Sequence, residues 1–571
     1  MAAMERTLPD MEWTVPVMEC LEDRLLLASG GSAETLAVGP AGATAIGIVL
    51  HNITSNVFKD SQADPPNNPI VTDPPPPPVV DTGIGQGATN AFYIDRDGDG
   101  YGVGSPLGPD ADDKDPAVNT FQSALAKYGS VQALLNHLGY YPLRIFYISP
   151  AGNDAAGAVD EINKPFRNYT AVVKQLRPGD AVIFREGTYV ATSDAHMILV
   201  SNLHGTAENP ITIMGMPGEK VVLDTARYDI ASIYVTQSSY INFDNFVATT
   251  STSPGQGRGI NINFSHHLNF RNIETKNHCW GIIGMQDLHY LLFDNIVAHN
   301  NTGEHGIYLG AREYPNSNIT IQNSLFYYNN WQGIQINGRG DNYVIANNII
   351  HSNGQIGIQL IQGVCNSTIS NNLIFNNAKS PIVFYMYDST DPNIAPYRQE
   401  NNLVINNTIW TGPDSNRGNN PENAASVLFS DTTAKGNFSM NNNIFRNNIF
   451  YSYGGEIFRV NSSNALGTMV IENNIFYRVL GDSKVISLQG TNYSMSAFPS
   501  LSPLFRNNLY ADPMFVDVNR TYHTNPEKFS FKLQSTSPAI NAGLNTAAPA
   551  YDLRYKPRVG RVDIGAYEYI V

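Results

Sequence analysis

Two sets of residues in the 571-residue sequence have types and spacing suited to chemistry. The first is Tyr93-Ile94-Asp95-Arg96-Asp97-Gly98-Asp99-Gly100-Tyr101-Gly102, followed by Asp110-Ala111-Asp112-Asp113-Lys114-Asp115-Pro116. Alternate aspartates separated by glycine crowd hard oxygens around one tight turn. Ca2+ takes six to eight such ligands, one of them a backbone carbonyl, for which Tyr101 is placed. Asp95, Asp97, Asp99, Tyr101, Asp110, Asp112, Asp113 and Asp115 are therefore the candidate Ca2+ ligands. The glutamate that closes an EF-hand is missing, and the role reads as structural. The second set is Glu304, His305, Tyr308, Arg312, Trp331, Gln332, Gln335, Asn337, Arg339, Asp341, Gln359, Gln362, Tyr385 and Tyr387. Aromatic faces stack on pyranose rings, while amides and arginine read hydroxyls and carboxylates. His305 or Tyr308 could take the proton α to a uronate carboxylate, with Arg339 or Arg312 neutralising that carboxylate. Ca2+ held by Asp341 and Glu304 could replace the arginine. Glycoside hydrolysis would need two carboxylates about 5 to 10 Å apart, for which Glu304 with Asp341 or Asp287 is the candidate pair.

These residues meet only if the chain coils. Gly-Ile pairs recur at Gly259, Gly281, Gly306, Gly333 and Gly357, in steps of about 22 to 27 residues. Between them run strands ending in Asn plus an apolar residue, as in Asn272-Ile273, Asn295-Ile296, Asn348-Ile349, Asn372-Leu373, Asn448-Ile449 and Asn474-Ile475. A coil of three short strands with apolar residues inward cannot bury its core alone, so coils stack. Asn at each corner tolerates left-handed backbone, and its amide can pair with the Asn one coil up. The residue two after each repeat glycine should then face outward, giving the row Asn261, Ile283, Tyr308, Gln335, Gln359, Val383. The expected fold class is all-β: a right-handed parallel β-helix with an N-terminal helical cap, preceded by a flexible linker and a small Ca-binding motif.

The expected order along the chain follows. Residues 1–31 form an export-like segment, 32–90 a linker with the polyproline run Pro74-Pro75-Pro76-Pro77-Pro78, and 91–120 the Asp-rich motif. Residues 121–143 are a helical connector, with one helix over Phe121 to Leu138. The β-helix spans 144–516, capped by an amphipathic helix from Tyr169 to Leu176, and 517–571 are a C-terminal extension.

Three resemblances bear on these segments. Val17-Met18-Glu19-Cys20-Leu21-Glu22-Asp23-Arg24-Leu25-Leu26-Leu27 resembles the Leu-Glu-Pro-Arg-x-Leu-Leu motif of exported planctomycete proteins, with Asp23 in the place of Pro; it implies a secreted or cell-surface bacterial protein. The Asp-rich segment is similar to thrombospondin-type-3-like repeats, with Ala111 where that family has Cys, so the family's disulfide is lost and its carboxylates remain. The stretch from Tyr147 to about Val516 resembles the pectin-lyase-like superfamily. Ser537-Pro538-Ala539-Ile540-Asn541-Ala542-Gly543 and Asp563-Ile564-Gly565-Ala566-Tyr567-Glu568-Tyr569 are similar to the ends of many such chains. That resemblance implies a carbohydrate-active scaffold whose activity differs from member to member. The Asp-Pro-His-Asp motif of mannuronan epimerases and the Gly-Phe-Ala-x-Lys segment of one pectate-lyase family are missing from the sequence. A polysaccharide lyase is the first expectation; a glycoside hydrolase and a non-catalytic glycan-binding surface protein stand beside it.

Composition bounds the partners. Net charge is −15, against nucleic acid, whose binding rests on Lys and Arg. An acidic polysaccharide would need a bridging divalent cation. Cys20, Cys279 and Cys365 form no disulfide framework. No apolar run reaches membrane-spanning length. A monomer acting on a polysaccharide, with Ca2+ as cofactor, is the expectation.

Overall fold

A computed structural model of the protein describes residues 84–86, 92–386, 397–412, 424–431, 438–461, 465, 468–501, 505–517 and 530–570. The chain divides into two units at Asp73, and the described residues lie in the second, Pro74–Val571. The export-like segment and most of the linker fall outside the described residues. Ile84–Gln86, inside the expected linker, pairs antiparallel with Phe92–Ile94.

Parallel strands stack into three faces, each visited once per turn. On the first face Ile260, Ile282, Ile307, Ile334, Ile358 and Ile382 are successive register partners, so the Gly-Ile period is the turn of the solenoid. The second face carries Leu268–Leu291–Ile319–Tyr343 in one file, and the third carries Val297–Leu325–Ile349–Leu373. Inward side chains fill a continuous core, with Phe243, Phe270 and Phe293 stacked at ring separations of 4.8 and 5.3 Å.

Asparagine makes the corners. Asn272, Asn295, Asn323, Asn347, Asn371, Asn406, Asn447 and Asn473 have φ between 52° and 59° where the chain leaves the second face. Most L residues resist this left-handed backbone, and Asn tolerates it. The asparagine after each corner points inward. Asn348, Asn372, Asn407, Asn448 and Asn474 each donate Nδ2 to the next Oδ1 at 2.9 to 3.0 Å, ending at Asn508. Each of these acceptor oxygens also takes a backbone N–H from the turn before. A second ladder, Asn301–Asn329–Asn353–Asn377, has steps of 2.8 to 2.9 Å. An unpaired buried amide costs roughly 1–3 kcal/mol, so the ladders fix register as well as closing the corners.

Two faces are covered. The connector is two helices rather than one, Phe121–Tyr128 and Val131–His137, because Gly129 turns left-handed at φ 79° and Ser130 caps the second. Phe121, Ala124, Leu134 and Leu135 pack on Tyr147, Ile183 and Met214 of the second face. Phe92, Ile94 and Val103 cover Val297, Leu325 and Tyr327 of the third, joined by Phe531, Leu533, Ile564 and Tyr567 from the C-terminal extension. The two tail motifs clip together and onto the corner: Asp563 takes the N–H of Asn541 and of Tyr569 at 2.6 Å, and the Asn406 amide donates to Asp563 O and Gly565 O. The cap helix is shorter than expected, one turn at Tyr169–Val172 running into a 3-10 turn at Val173–Gln175; Tyr169 and Val172 close the core over Phe184. The last second- and third-face strands are Phe505–Arg506 and Leu509–Tyr510, after which Phe515–Asp517 turns to pair antiparallel with Ser530–Leu533.

Candidate functional site

The outward row forms as the spacing requires: Asn261, Ile283, Tyr308, Gln335, Gln359 and Val383 are register partners in consecutive turns of the first face. Ile283, Gln335 and Val383 are themselves buried. At the N-terminal end of these strands a second file is set by the backbone. Glu304 N–H donates to Cys279 O, Trp331 N–H to Glu304 O, Gln355 N–H to Trp331 O and Lys379 N–H to Gln355 O, at 2.7 to 3.0 Å. Glu304, Trp331, Gln355 and Lys379 thus stand one above another, about 4.8 Å per turn.

The chemistry concentrates around Glu304. Its Oε2 is buried without a hydrogen-bond partner, 3.5 Å from His305 Nε2. Burial, with no neighbouring cation to offset it, pushes its carboxyl up to about 7. His305 is only 4% exposed, and its Nδ1 accepts the Gln332 N–H at 3.3 Å. Burial lowers its imidazole to about 3, so at neutral pH it is uncharged, with the proton on Nε2 towards Glu304. That makes His305 a weak base with its lone-pair nitrogen in use, better suited to donating than to abstracting. Its ring stacks on Tyr308 at 5.4 Å and meets Trp331 edge-on at 5.8 Å. Asn337 Nδ2 donates to the Tyr308 hydroxyl at 3.1 Å, and Gln332 Nε2 donates to Gln359 Oε1 at 2.6 Å.

The remaining candidates do not converge there. Arg339, Asp341 and Gln362 stand at the opposite end of the strands, where the chain turns to the second face; Asp341 pairs with Ser317 and Cys365 and takes the Asn366 amide at 3.0 Å. Arg339 is seven residues beyond the Gln332 position, roughly 20 Å at ~3.3 Å per residue. It cannot neutralise a carboxylate held at Glu304, and Asp341 cannot share a Ca2+ with Glu304. Asp287 lies at that same far end, beside His289, so neither carboxylate pair has the hydrolase spacing of at most about 10 Å. The side chain of Arg312 and the whole of Tyr387 lie outside the described residues. Gln355 and Lys379 were not found from sequence, although they stand two residues before Gly357 and Pro381, as Glu304 and Trp331 stand before Gly306 and Gly333. Half-burial lowers the Lys379 ammonium.

The acidic segment forms a second cluster. Asp95, Asp97 and Asp99 bring ligand oxygens within 4.8 Å of one another, as do Asp97, Asp110 and Asp113. Each of Asp97, Asp99, Asp110 and Asp113 accepts a backbone N–H at Oδ1 and leaves a buried Oδ2 without a hydrogen bond, that of Asp113 lying 3.7 Å from Arg96 Nε. Burial, reinforced by repulsion between these groups, lifts Asp97 to about 6, Asp113 to about 7 and Asp110 to about 8. Four orphaned carboxylate oxygens in one cage fit a hard divalent cation. Asp112 and Asp115 do not join them: Asp112 Oδ2 takes the Tyr128 hydroxyl and His137 Nε2, and Asp115 pairs with Lys127.

Residues 146–331 match the family model described as the Pel9A-like, right handed beta helix region. Similar solved structures include pectate lyase Pel9A, 19% identical over 75% of this chain and 97% of that one, with a TM-score of 0.47. Native GH136 lacto-N-biosidase from Eubacterium ramulus is 12% identical over 68% and 70%, with a TM-score of 0.45. A rhamnogalacturonan lyase is 16% identical over 58% and 87%, with a TM-score of 0.41. No curated protein matches the chain. Among the described residues no helix is long and apolar enough to cross a membrane. The chain is a parallel β-helix whose matched stretch is of the right-handed kind.

Proposed function

We propose that this protein binds an acidic polysaccharide along the first face and cleaves it by β-elimination, with Glu304 as the proton acceptor. The observation that carries this reading is the buried Glu304 carboxyl beside His305, whose Oε2 has no hydrogen bond and which burial pushes up to about 7. A base works best when its pKa lies near the operating pH. The Glu304 carboxylate takes the proton α to the uronate carboxyl, the glycosidic C–O bond opposite breaks, and a double bond forms in the sugar ring. The Tyr308 hydroxyl, held by Asn337, supplies the proton to the leaving oxygen. The amides of Gln332 and Gln359 serve the uronate carboxyl as donors, His305 Nε2–H steadies Glu304, and Trp331 and Tyr308 stack on the rings. Lys379, three turns along the same file, brings positive charge to a neighbouring subsite and offsets the negative chain.

The test is a panel of polyuronates, followed by ultraviolet absorbance of the unsaturated product. Wild type should release it on at least one polymer, and Glu304→Gln should not. New reducing ends without that absorbance would favour a hydrolase; binding without either product would favour a glycan-binding surface protein.

Ca2+ is proposed for the Asp95–Asp113 cage, with Asp95, Asp97, Asp99, Asp110 and Asp113 as ligands, as a structural ion that fixes the segment covering the third face. Export to a calcium-containing exterior accords with this site and with the Val17–Leu27 segment.

A further inference from the structure

We propose a second active site, for acyl-ester hydrolysis, built from Ser317, His289 and Asp287 at the corner between the first and second faces. His289 and Ser317 are register partners in adjacent turns. His289 Nδ1 lies 2.7 Å from Ser317 Oγ, and Nε2 lies 3.1 Å from Asp287 Oδ1. Asn318 Nδ2 donates to the same Ser317 oxygen at 3.0 Å. With a neutral imidazole these contacts have one consistent assignment of protons. Nε2–H donates to the carboxylate, Nδ1 accepts from the hydroxyl, and the hydroxyl oxygen accepts from the amide. Carboxylate, imidazole and hydroxyl in that order are the arrangement that turns a serine into a nucleophile, whatever fold carries it.

A bulge borders the group. The strand register slips between Gly310 and Ser317, and the extra residues, among them Glu313, Tyr314 and Pro315, form an exposed, looped-out bulge within the strand Ile307–Gln322. Asn316 anchors that loop, accepting the Leu288 N–H at 3.0 Å and donating to Gly310 O at 3.1 Å. Tyr314 reaches back to Phe264, two turns earlier, with rings 6.0 Å apart, so the loop leans over the turn that holds Asp287. Phe264 and Tyr314 stay 42% and 37% exposed, apolar surface suited to the acyl part of a substrate. An insertion confined to one turn of a repeat is where binding loops are expected.

The substrate class is a small O-acyl ester, such as an acylated sugar. Ser317 Oγ attacks the acyl carbon as its proton passes to His289 Nδ1, while the Asn318 amide donates to the developing oxyanion. The ester C–O bond breaks and His289 returns the proton to the leaving alkoxide. Water then hydrolyses the acyl-serine, giving an alcohol and a carboxylic acid with no other reactant. Ser317 and His289 are the catalytic residues; Asp287 is a positioning residue. The site does not depend on the chemistry assigned to Glu304.

The experiment uses the full chain with p-nitrophenyl acetate and a fluorophosphonate probe mapped by mass spectrometry. The probe should label Ser317. Ser317→Ala and His289→Ala should each lower turnover about a thousand-fold or more, with circular dichroism and polysaccharide binding unchanged. Asp287→Asn should lower it at least about tenfold, with Asp287→Glu recovering part of the loss. Turnover unchanged in Ser317→Ala, labelling at another residue, or wild type that neither turns over nor labels would each overturn the proposal.

Discussion

The Asp95–Asp113 cage and the recess at Glu304 both hold carboxyls lifted above their ordinary range, for different reasons. In the cage burial is reinforced by aspartates repelling one another, so a cation that neutralises them reverses the shift. At Glu304 burial acts alone, and a cation bound in the loop leaves it untouched. Like directions of shift therefore suit unlike chemistry: the proposed roles are a metal site in the cage and a proton acceptor in the recess.

The largest effect that separates them is on rate. Glu304→Gln should lower cleavage about a thousand-fold, within the range ascribed to a positioned general base, while leaving Ca2+ affinity and thermal unfolding unchanged. Next comes stability. Ca2+ at a hundred times its dissociation constant should stabilise the fold by about 2.7 kcal/mol, read as a rise in unfolding temperature that Asp113→Asn abolishes. The sign with pH follows from the raised aspartates. The folded cage holds protons that the unfolded chain has lost, so the metal-free protein should lose stability as pH rises from the ordinary Asp range through about 8. Ca2+ should cancel that loss, and proton release on binding, measured by calorimetry in buffers of different ionisation enthalpy, should grow as pH falls from about 8 to about 6.

A further contrast lies within the scaffold. Asn372→Ala strips a buried ladder step whose Nδ2 serves both Asn407 Oδ1 and Ile345 O, and should cost about 2 kcal/mol in denaturant unfolding. Asn442→Ala, on an exposed ladder, should cost about 1 kcal/mol, set by the left-handed backbone at φ 57° and not by a buried amide. Trp331→Ala should weaken polysaccharide binding about tenfold, or ~1.4 kcal/mol, with kcat little changed.

The fold was legible because its corners demand particular residues. Asn recurs where φ must be positive, and Gly-Ile recurs where strands stack, so counting in the sequence recovered the register from Ile260 to Ile382. The site was legible as a row but not as a place along it. Counting turns says that Arg339 belongs near His305; it does not say that seven residues of strand separate them. Lys379 lay within reach of the same count, two residues before Pro381, and the helix break at Gly129 was masked by leucines that keep helical spacing across it. Asp112 and Asp115 look like ligands in the local motif, but their partners Tyr128, His137 and Lys127 come from helices that the motif does not contain.

The most direct measurement is the pH dependence of kcat on a cleaved polyuronate, at saturating Ca2+ and again at a tenth of that concentration. The rate should rise through an acidic limb near 7, at the same pH in both series, and the limb should vanish in Glu304→Gln. A limb in the ordinary carboxylate range, or one that moves with Ca2+, would contradict a buried Glu304 as the base.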